Sequence, residues 1–150
     1  MPKFIHPLAG AIAVLTIATF WISTAASELS GSRELIISVK STIPWGFLLL
    51  VPALAVAGGS GFALAKGRRG GVISVKIKRM PIIAVNGLLV LIPAALFLAT
   101  KAQANELDTS FYVVQAVELL AGAANIALLS RNMGDGFKMT GRFRKRAADL

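Results

Sequence analysis

Residues 111–129 read FYVVQAVELLAGAANIALL, and this stretch decides the fold of the chain. Three polar residues interrupt an otherwise apolar run, and they share a helical spacing with three further residues. The six positions recur at intervals of four, three, four, three and four: Phe111, Gln115, Glu118, Gly122, Asn125 and Leu129. Such spacing places them on one face of an α-helix. A helix this long and apolar can cross a bilayer, so an ionisable group inside it needs a partner or a function.

The composition extends this interpretation to the whole chain of 150 residues. Apolar residues make up 55% of it, and the mean hydropathy of +0.71 is too high for an ordinary water-soluble domain. The chain has no cysteine, which excludes disulfides, zinc–thiolate sites and thiol nucleophiles. It also lacks the sequence motifs of hydrolases, zinc proteases and dinucleotide-binding proteins. We therefore predict no catalytic residue and no metal site.

Four apolar segments predict an all-α fold, an integral membrane four-helix bundle made of two transmembrane hairpins. The predicted helices cover about 4–27, 33–65, 80–100 and 110–130, within one transmembrane domain of residues 1–150. The first apolar run exceeds the apolar part of a secretory signal peptide, so we expect a retained helix. Ser32 is expected to cap the second helix, since its hydroxyl can accept a bond from a free backbone N–H.

The positive charges predict the orientation. Lys3, a basic loop at 66–79 and a basic tail at 131–150 place thirteen cations on one side, while Arg33, Lys40 and Lys101 make three on the other. By the positive-inside rule, both termini and the loop are cytoplasmic in a bacterial-type inner membrane. The loop and tail are expected to contact anionic lipid headgroups. Nucleic acid is not expected as a partner, because no compact basic domain is present.

Helix geometry predicts a polar centre within the membrane. Counted from Arg131 at about 1.5 Å per residue, Glu118 lies roughly 20 Å deep. On the same count Lys40 lies roughly 18 Å away along the helix axis, so we expect Glu118 to be neutral and hydrogen-bonded. Asn86 and Asn125 come out level with each other and are expected to pair. The predicted intramembrane polar centre comprises Glu118, Gln115, Asn125, Asn86, Thr16 and Thr19.

Small residues repeat every four positions along the second segment. These helix-packing residues are Ala53, Ala57, Gly61 and Ala65. Such a stripe lets another backbone approach closely. The first helix, the fourth helix or a second copy of the chain is expected to pack there.

His6 is the one histidine of the chain and stands at the start of the first helix. Imidazole can ligate haem iron, and Met80 near the same membrane face could supply a second axial ligand. A b-type haem at His6 is therefore an alternative to a chain without cofactor.

These observations favour a small polytopic membrane protein without catalytic activity. The leading prediction is a helical bundle or accessory subunit that packs with itself or with a larger membrane complex. One alternative is a b-type haem electron-transfer protein that uses His6. A second is a small proton-coupled carrier that uses Glu118, because buried ionisable groups often mark proton pathways.

Overall fold

Long helices joined by short turns make up the protein. The computed structural model describes residues 2–65 and 71–139, with the side chains of residues 4–63 and 78–136. The elements are α1 (Pro2–Ser30), α2 (Arg33–Ala65), α3 (Gly71–Asn86), a π-helical turn (Gly87–Leu91), α4 (Ile92–Gln103) and α5 (Thr109–Met139). We call α3, the π turn and α4 together the third segment. The described residues contain no strand, so the all-α prediction is confirmed for them.

Four stretches of these helices are long and apolar enough to cross a membrane. They are Phe4–Ser30, Arg33–Ala63, Lys78–Gln103 and Thr109–Gly136. Large apolar side chains cover the outside of the bundle: Leu15 is 65% exposed, Leu48 75% and Leu120 74%. Water-soluble domains rarely show continuous apolar surfaces of this kind, whereas lipid-facing helices require them.

The segments form a closed ring of antiparallel neighbours. α1 packs on α2, α2 on α4, the third segment on α5, and α5 on α1. One apolar cluster, with Ala13, Leu50 and Leu129, lies in the half of the bundle that contains residue 65. A second, with Ile36 and Leu98, lies near the 104–108 linker. Among the described residues α2 packs on α4 but not comparably on α3, so these two helices diverge away from the linker.

Two helices extend further than the sequence predicted. α3 begins at Gly71 rather than near Met80, so the stretch 72–79 is helical and does not belong to the predicted basic loop. Pro81 consequently lies inside the helix and not in its first turn. α5 continues through 131–139, which was assigned to the basic tail. Residues 66–70 and 140–150, the rest of the predicted loop and tail, lie outside the described residues.

Side-chain contacts between α3 and α5 explain the extension of α5. Two glycines, Gly134 and Gly136, each disfavour the helix by about 1 kcal/mol relative to alanine. Across the helix pair, Arg79 Nη1 donates to Asp135 Oδ2 at 2.9 Å, and Asn132 Nδ2 lies 3.4 Å from the sulfur of Met80. These tertiary contacts offset the low intrinsic propensity.

The turns at the linker end are closed by local hydrogen bonds. Gly31 lies in the turn between α1 and α2 and has φ of 65°, a conformation that glycine adopts without strain. The backbone N–H of Leu35 donates to Ser32 Oγ at 3.3 Å, which confirms the predicted cap. In the linker, Arg33 Nε donates to Asn105 Oδ1 at 2.8 Å and ties the start of α2 to this loop.

Asp108 caps α5, a role that the sequence reading missed. Its Oδ1 accepts the backbone N–H of Phe111 at 3.0 Å and the hydroxyl of Ser110 at 2.6 Å. Lys101 Nζ donates to Oδ2 at 2.7 Å. These bonds, led by that from Lys101, hold the pKa of the Asp108 carboxyl well below its usual range.

The π turn follows from a proline. Pro93 has no N–H to donate, so the regular pattern of hydrogen bonds fails one turn before it. Ile92 instead donates its N–H to the carbonyl of Gly87, five residues back. Local π geometry thereby satisfies backbone groups that water would otherwise have to reach.

α1 covers the small-residue stripe of α2. Ala53 and Ala57 are buried, and a Cβ at Gly61 would lie 2.9 Å from Cε1 of His6. A Cβ at Gly46 would overlap the ring of Phe20. The close approach of α1 and α2 therefore depends on glycine at both positions. The side chain of Ala65 lies outside the described residues.

Candidate functional site

The inner face of α5 carries the candidate site. Phe111, Gln115, Asn125 and Leu129 are all at least nine-tenths buried, while Leu120 on the opposite face is 74% exposed. The face identified from the residue spacing is therefore turned toward the other helices. Its polar side chains contact groups on α1, α2 and the third segment.

Glu118 forms an ion pair with Lys40 of α2. Lys40 Nζ contacts Glu118 Oε2, and the side chains are 1% and 13% exposed. Placing Lys40 roughly 18 Å from Glu118 was therefore wrong, as was the inference that the carboxyl has no basic neighbour. The Glu118 carboxylate therefore has the lysine side chain as its counter-charge inside the bundle.

The distance between Lys40 and Glu118 was overestimated because the depth of Glu118 was counted from the wrong end of α5. The sequence count measured depth from Arg131, but α5 continues to Met139. Measured from the linker end, Lys40 is seven residues into α2 and Glu118 nine residues into α5. At about 1.5 Å per residue these depths are roughly 10 and 14 Å, a difference that a lysine side chain spans. Lys40 thus belongs to the interior, and the charge count on the linker side falls from three to two.

Two residues of α1 complete a polar cluster around this pair. Thr24 Oγ1 accepts a second bond from Lys40 Nζ at 3.2 Å, and Gln115 Nε2 donates to Glu28 Oε1 at 2.7 Å. The Glu28 carboxylate also lies within electrostatic range of Lys40. We call Thr24, Glu28, Lys40, Gln115 and Glu118 the polar cluster. It connects α1, α2 and α5 in the half of the bundle next to the 104–108 linker.

The threonines expected at this centre lie elsewhere. Thr16 and Thr19 donate to carbonyls of their own helix, Ile12 at 2.8 Å and Leu15 at 2.8 Å. Neither hydroxyl bonds to Glu118; the threonine of α1 that joins the ion pair is the buried Thr24. Serine and threonine commonly bond to the preceding helical turn in this way.

The predicted pairing of two asparagines is confirmed. Asn86 Nδ2 donates to Asn125 Oδ1 at 2.9 Å and to the carbonyl of Ala121 at 2.9 Å. Asn125 Nδ2 in turn approaches the carbonyl of Ile83 at 3.4 Å. This amide pair joins the third segment to α5 directly before the π turn, as interhelical amides do in membranes.

The two residues considered as haem ligands have protein partners. His6 Nδ1 lies 3.0 Å from the carbonyl oxygen of Ala57 and 3.1 Å from Ser60 Oγ. The sulfur of Met80 lies 3.4 Å from Asn132 Nδ2. Haem at His6 stays a prediction, which an absorption spectrum of wild type and His6→Ala tests through the Soret band. No group of three or more metal-binding side chains occurs among the described residues.

A cavity of ≈ 370 Å³ lies between all four segments. Its wall is mainly aliphatic and aromatic, with Ile17, Phe47 and Leu91 among the contributors. Thr24 and Glu118 line it at one end, and Asn125 is a further polar residue of the mainly apolar wall. Lys40 lies behind Glu118 and does not line the cavity. The arrangement can hold helices together, exchange a proton between lysine and carboxylate, or bind the polar group of an apolar molecule.

The sequence reading missed Lys40, Thr24 and Glu28 as members of the site. The similar distances of Lys40 and Glu118 from the linker ends of their helices could have revealed the pair. Thr24 and Glu28 recur with Ser27 on one side of α1, but their partners depend on the rotation of that helix, which packing sets. In comparisons with models of protein families, with curated proteins and with solved structures, the chain matches none of them.

Proposed function

We propose that the protein is a small integral membrane protein without catalytic activity, and that it serves as an accessory subunit of a membrane assembly. The observation that carries the proposal is the ion pair between Lys40 and Glu118. Together with the pairs Gln115–Glu28 and Asn86–Asn125, it engages polar side chains with one another across helices. Interior polar groups used in this way act as connections between helices.

The connections at the linker end support the same proposal. The α1–α2 turn contains residues 31–32 and the linker contains residues 104–108. Neither has room for a soluble catalytic domain, so the surface available to a partner is the apolar outside of the helices. A second copy of this chain or a larger membrane complex would cover part of that surface.

The proposed orientation places both termini and the basic loop in the cytoplasm of a bacterial-type inner membrane. It rests on the thirteen cations on that side against Arg33 and Lys101 on the other. Reporter fusions at residues 30, 74, 104 and 150 should read periplasm, cytoplasm, periplasm and cytoplasm. A periplasmic signal at residue 74 contradicts the orientation.

Native mass spectrometry from mild detergent tests the accessory role. We expect a discrete homo-oligomer or a stoichiometric complex with another membrane protein. A stable monomer without a partner, released from membranes under the same mild conditions, contradicts the proposal.

One observation favours a second candidate, a proton-coupled carrier. Glu118 lines the cavity while its carboxylate contacts Lys40, so a proton could move between a solute pathway and an internal base. Proteoliposomes should then show solute-dependent proton flux that Glu118→Gln abolishes. Lys101→Gln, an exposed charge change in the linker region, is the matched control and should leave the flux intact.

A further inference from the structure

We propose that the cavity is a binding site for a membrane-soluble molecule with one aliphatic chain and an uncharged hydroxyl head. The head lies against Glu118 and Thr24, and the chain runs along the inner face of α5 toward Leu129. The site does not depend on the accessory role proposed above.

The entrance to the cavity faces lipid and not water. α2 and α3 diverge away from the linker, and both contribute to the cavity wall. At this edge Val51 is 45% exposed and Leu88 62% exposed, and both line the cavity. A ligand therefore enters sideways, between two apolar helix edges, from the hydrocarbon region.

The size of the cavity admits one chain. Its volume of ≈ 370 Å³ lies at the lower end of the range of about 300–1,000 Å³ that is typical of small-molecule sites. The eleven residues from Glu118 to Leu129 correspond to about 16 Å of helix. This is close to half of the roughly 30 Å hydrocarbon core. A single chain as long as one leaflet is deep fits this space, whereas a two-chain phospholipid exceeds it.

The polar end offers one acceptor and one donor. Within the part of the chain that is described, the hydrogen bond to the Glu118 carboxylate comes from Lys40 and reaches Oε2, and the side chain lines the cavity. Thr24 Oγ1 accepts from Lys40, which leaves its own hydroxyl proton to donate. A ligand hydroxyl both donates and accepts, so one such group satisfies both side chains.

The charge of the cluster selects an uncharged head. Lys40 already compensates Glu118, so a carboxylate head would add an unpaired negative charge in a low-dielectric site. Glu28, the second carboxylate of the cluster, does not line the cavity, so an ammonium head would have to compete with Lys40 for Glu118. A head without any polar group would place apolar atoms against the Glu118 carboxylate, which is unfavourable away from water.

Tryptophan fluorescence provides a local readout. The chain has two tryptophans: Trp21 lines the cavity, whereas Trp45 is 73% exposed on the outside. In Trp45→Phe the remaining Trp21 therefore reports on the cavity. In Trp21→Phe the remaining Trp45 reports on the surrounding lipid. Both variants are reconstituted in phosphatidylcholine nanodiscs and titrated with hexadecanol that is brominated in the head half of its chain, since bromine quenches indole on contact. We expect saturable quenching of Trp21 and only gradual, non-saturable quenching of Trp45.

A matched pair of glycines tests the location. Gly58 lines the cavity and Gly59 does not, and a Cβ at either position meets nothing within 4 Å. Gly58→Leu fills the mouth and should remove the saturable quenching of Trp21, and Ala55→Leu, at another lining residue, should weaken it. Gly59→Leu should leave it unchanged. Equal loss in the Gly58 and Gly59 variants, or quenching of Trp21 that never saturates, overturns the site.

Competition with unbrominated probes of equal chain length tests the head. Hexadecanol should displace the brominated probe at about tenfold lower mole fraction than hexadecane, the effect of about one buried hydrogen bond. Equal potency of hexadecane, or stronger displacement by palmitate or hexadecylamine, overturns the assignment of an uncharged hydroxyl. Saturable quenching of Trp21 by phosphatidylcholine with brominated tails would overturn the single-chain ligand, because an ordinary lipid tail would then fill the cavity.

Discussion

Lys40 and Glu118, which are 78 residues apart in sequence, form an ion pair inside the bundle, with the lysine side chain 1% exposed. The contact fixes the rotation of α2 relative to α5, because each side chain has few other ways to satisfy its charge. It also changes what the carboxylate can do. The carboxylate is paired with the lysine side chain at the edge of a cavity whose wall is mainly apolar.

Removing one member of the pair should destabilise the protein strongly. Lys40→Met or Glu118→Met leaves an uncompensated charge, and each should lower the free energy of unfolding by about 3–5 kcal/mol. The double variant Lys40→Met/Glu118→Met should recover most of the loss, because apolar side chains of similar volume replace both charges. Reversible unfolding in mixed micelles with an anionic detergent measures these values.

The control is Lys101→Met, the same chemical change at a lysine whose partners Glu106 and Asp108 lie in the solvent-exposed linker. It should alter the free energy of unfolding far less than Lys40→Met does. Single-variant losses that simply add in the double variant would show that the two side chains are not coupled.

Gly61→Leu should weaken the packing of α1 on α2. A Cβ at this position lies 2.9 Å from Cε1 of His6, so a larger side chain must displace the imidazole from Ala57 and Ser60. Overpacking of this kind typically lowers stability by about 1–3 kcal/mol. Thermal unfolding in detergent measures the effect.

Gly59→Leu is the matched control for Gly61→Leu, since a Cβ at Gly59 meets nothing within 4 Å. Leucine favours helix over glycine by up to about 1 kcal/mol, so this variant should be as stable as wild type or more stable. Equal stability of the two leucine variants would mean that α1 does not press against Gly61.

Asp108 should make stability fall in acid. The ordinary carboxyl pKa is 3.8, and the bonds from Lys101, Ser110 and the Phe111 N–H lower the pKa of Asp108 in the folded protein. The folded state therefore binds this proton more weakly than the unfolded state. The resulting stability is present above the unfolded pKa and is lost as the pH falls through the lower folded pKa.

Asp108→Asn keeps a capping oxygen but cannot ionise, so it should reduce this acid dependence while keeping the α5 cap. The free energy of unfolding of wild type and variant is measured from neutral pH down to strongly acid pH. Curves that stay parallel over the whole range would assign the acid dependence to other carboxylates.

The sequence predicted the helical architecture because long apolar runs and a regular polar face have few other solutions. The inward face of α5 and the Asn86–Asn125 pair followed from residue spacing alone, since both depend on positions within regular helices. Helix ends were predicted less well. Gly71 and Gly134 lie in the stretches that were assigned to the basic loop and tail, but contacts such as Arg79–Asp135 hold the helices there.

The partner of Glu118 could not be identified because the depth of Glu118 was counted only from Arg131, at one end of α5. An error of eight residues at the end of α5, from Arg131 to Met139, moves the apparent depth by about 12 Å. Thr24 and Glu28 depend in addition on how α1 is rotated, which the close approach at Gly46 and Gly61 decides. Rotation and register are properties of packed pairs of helices, and one helix considered alone does not contain them.

The central claim is that Glu118 is an ionised partner of Lys40 within the bundle. Infrared difference spectroscopy of wild type minus Glu118→Gln, in lipid at neutral pH, tests it most directly. We predict the loss of a carboxylate band and no change in the protonated carboxyl C=O region. A protonated carboxyl band that is present in wild type and absent from Glu118→Gln would contradict the ion pair.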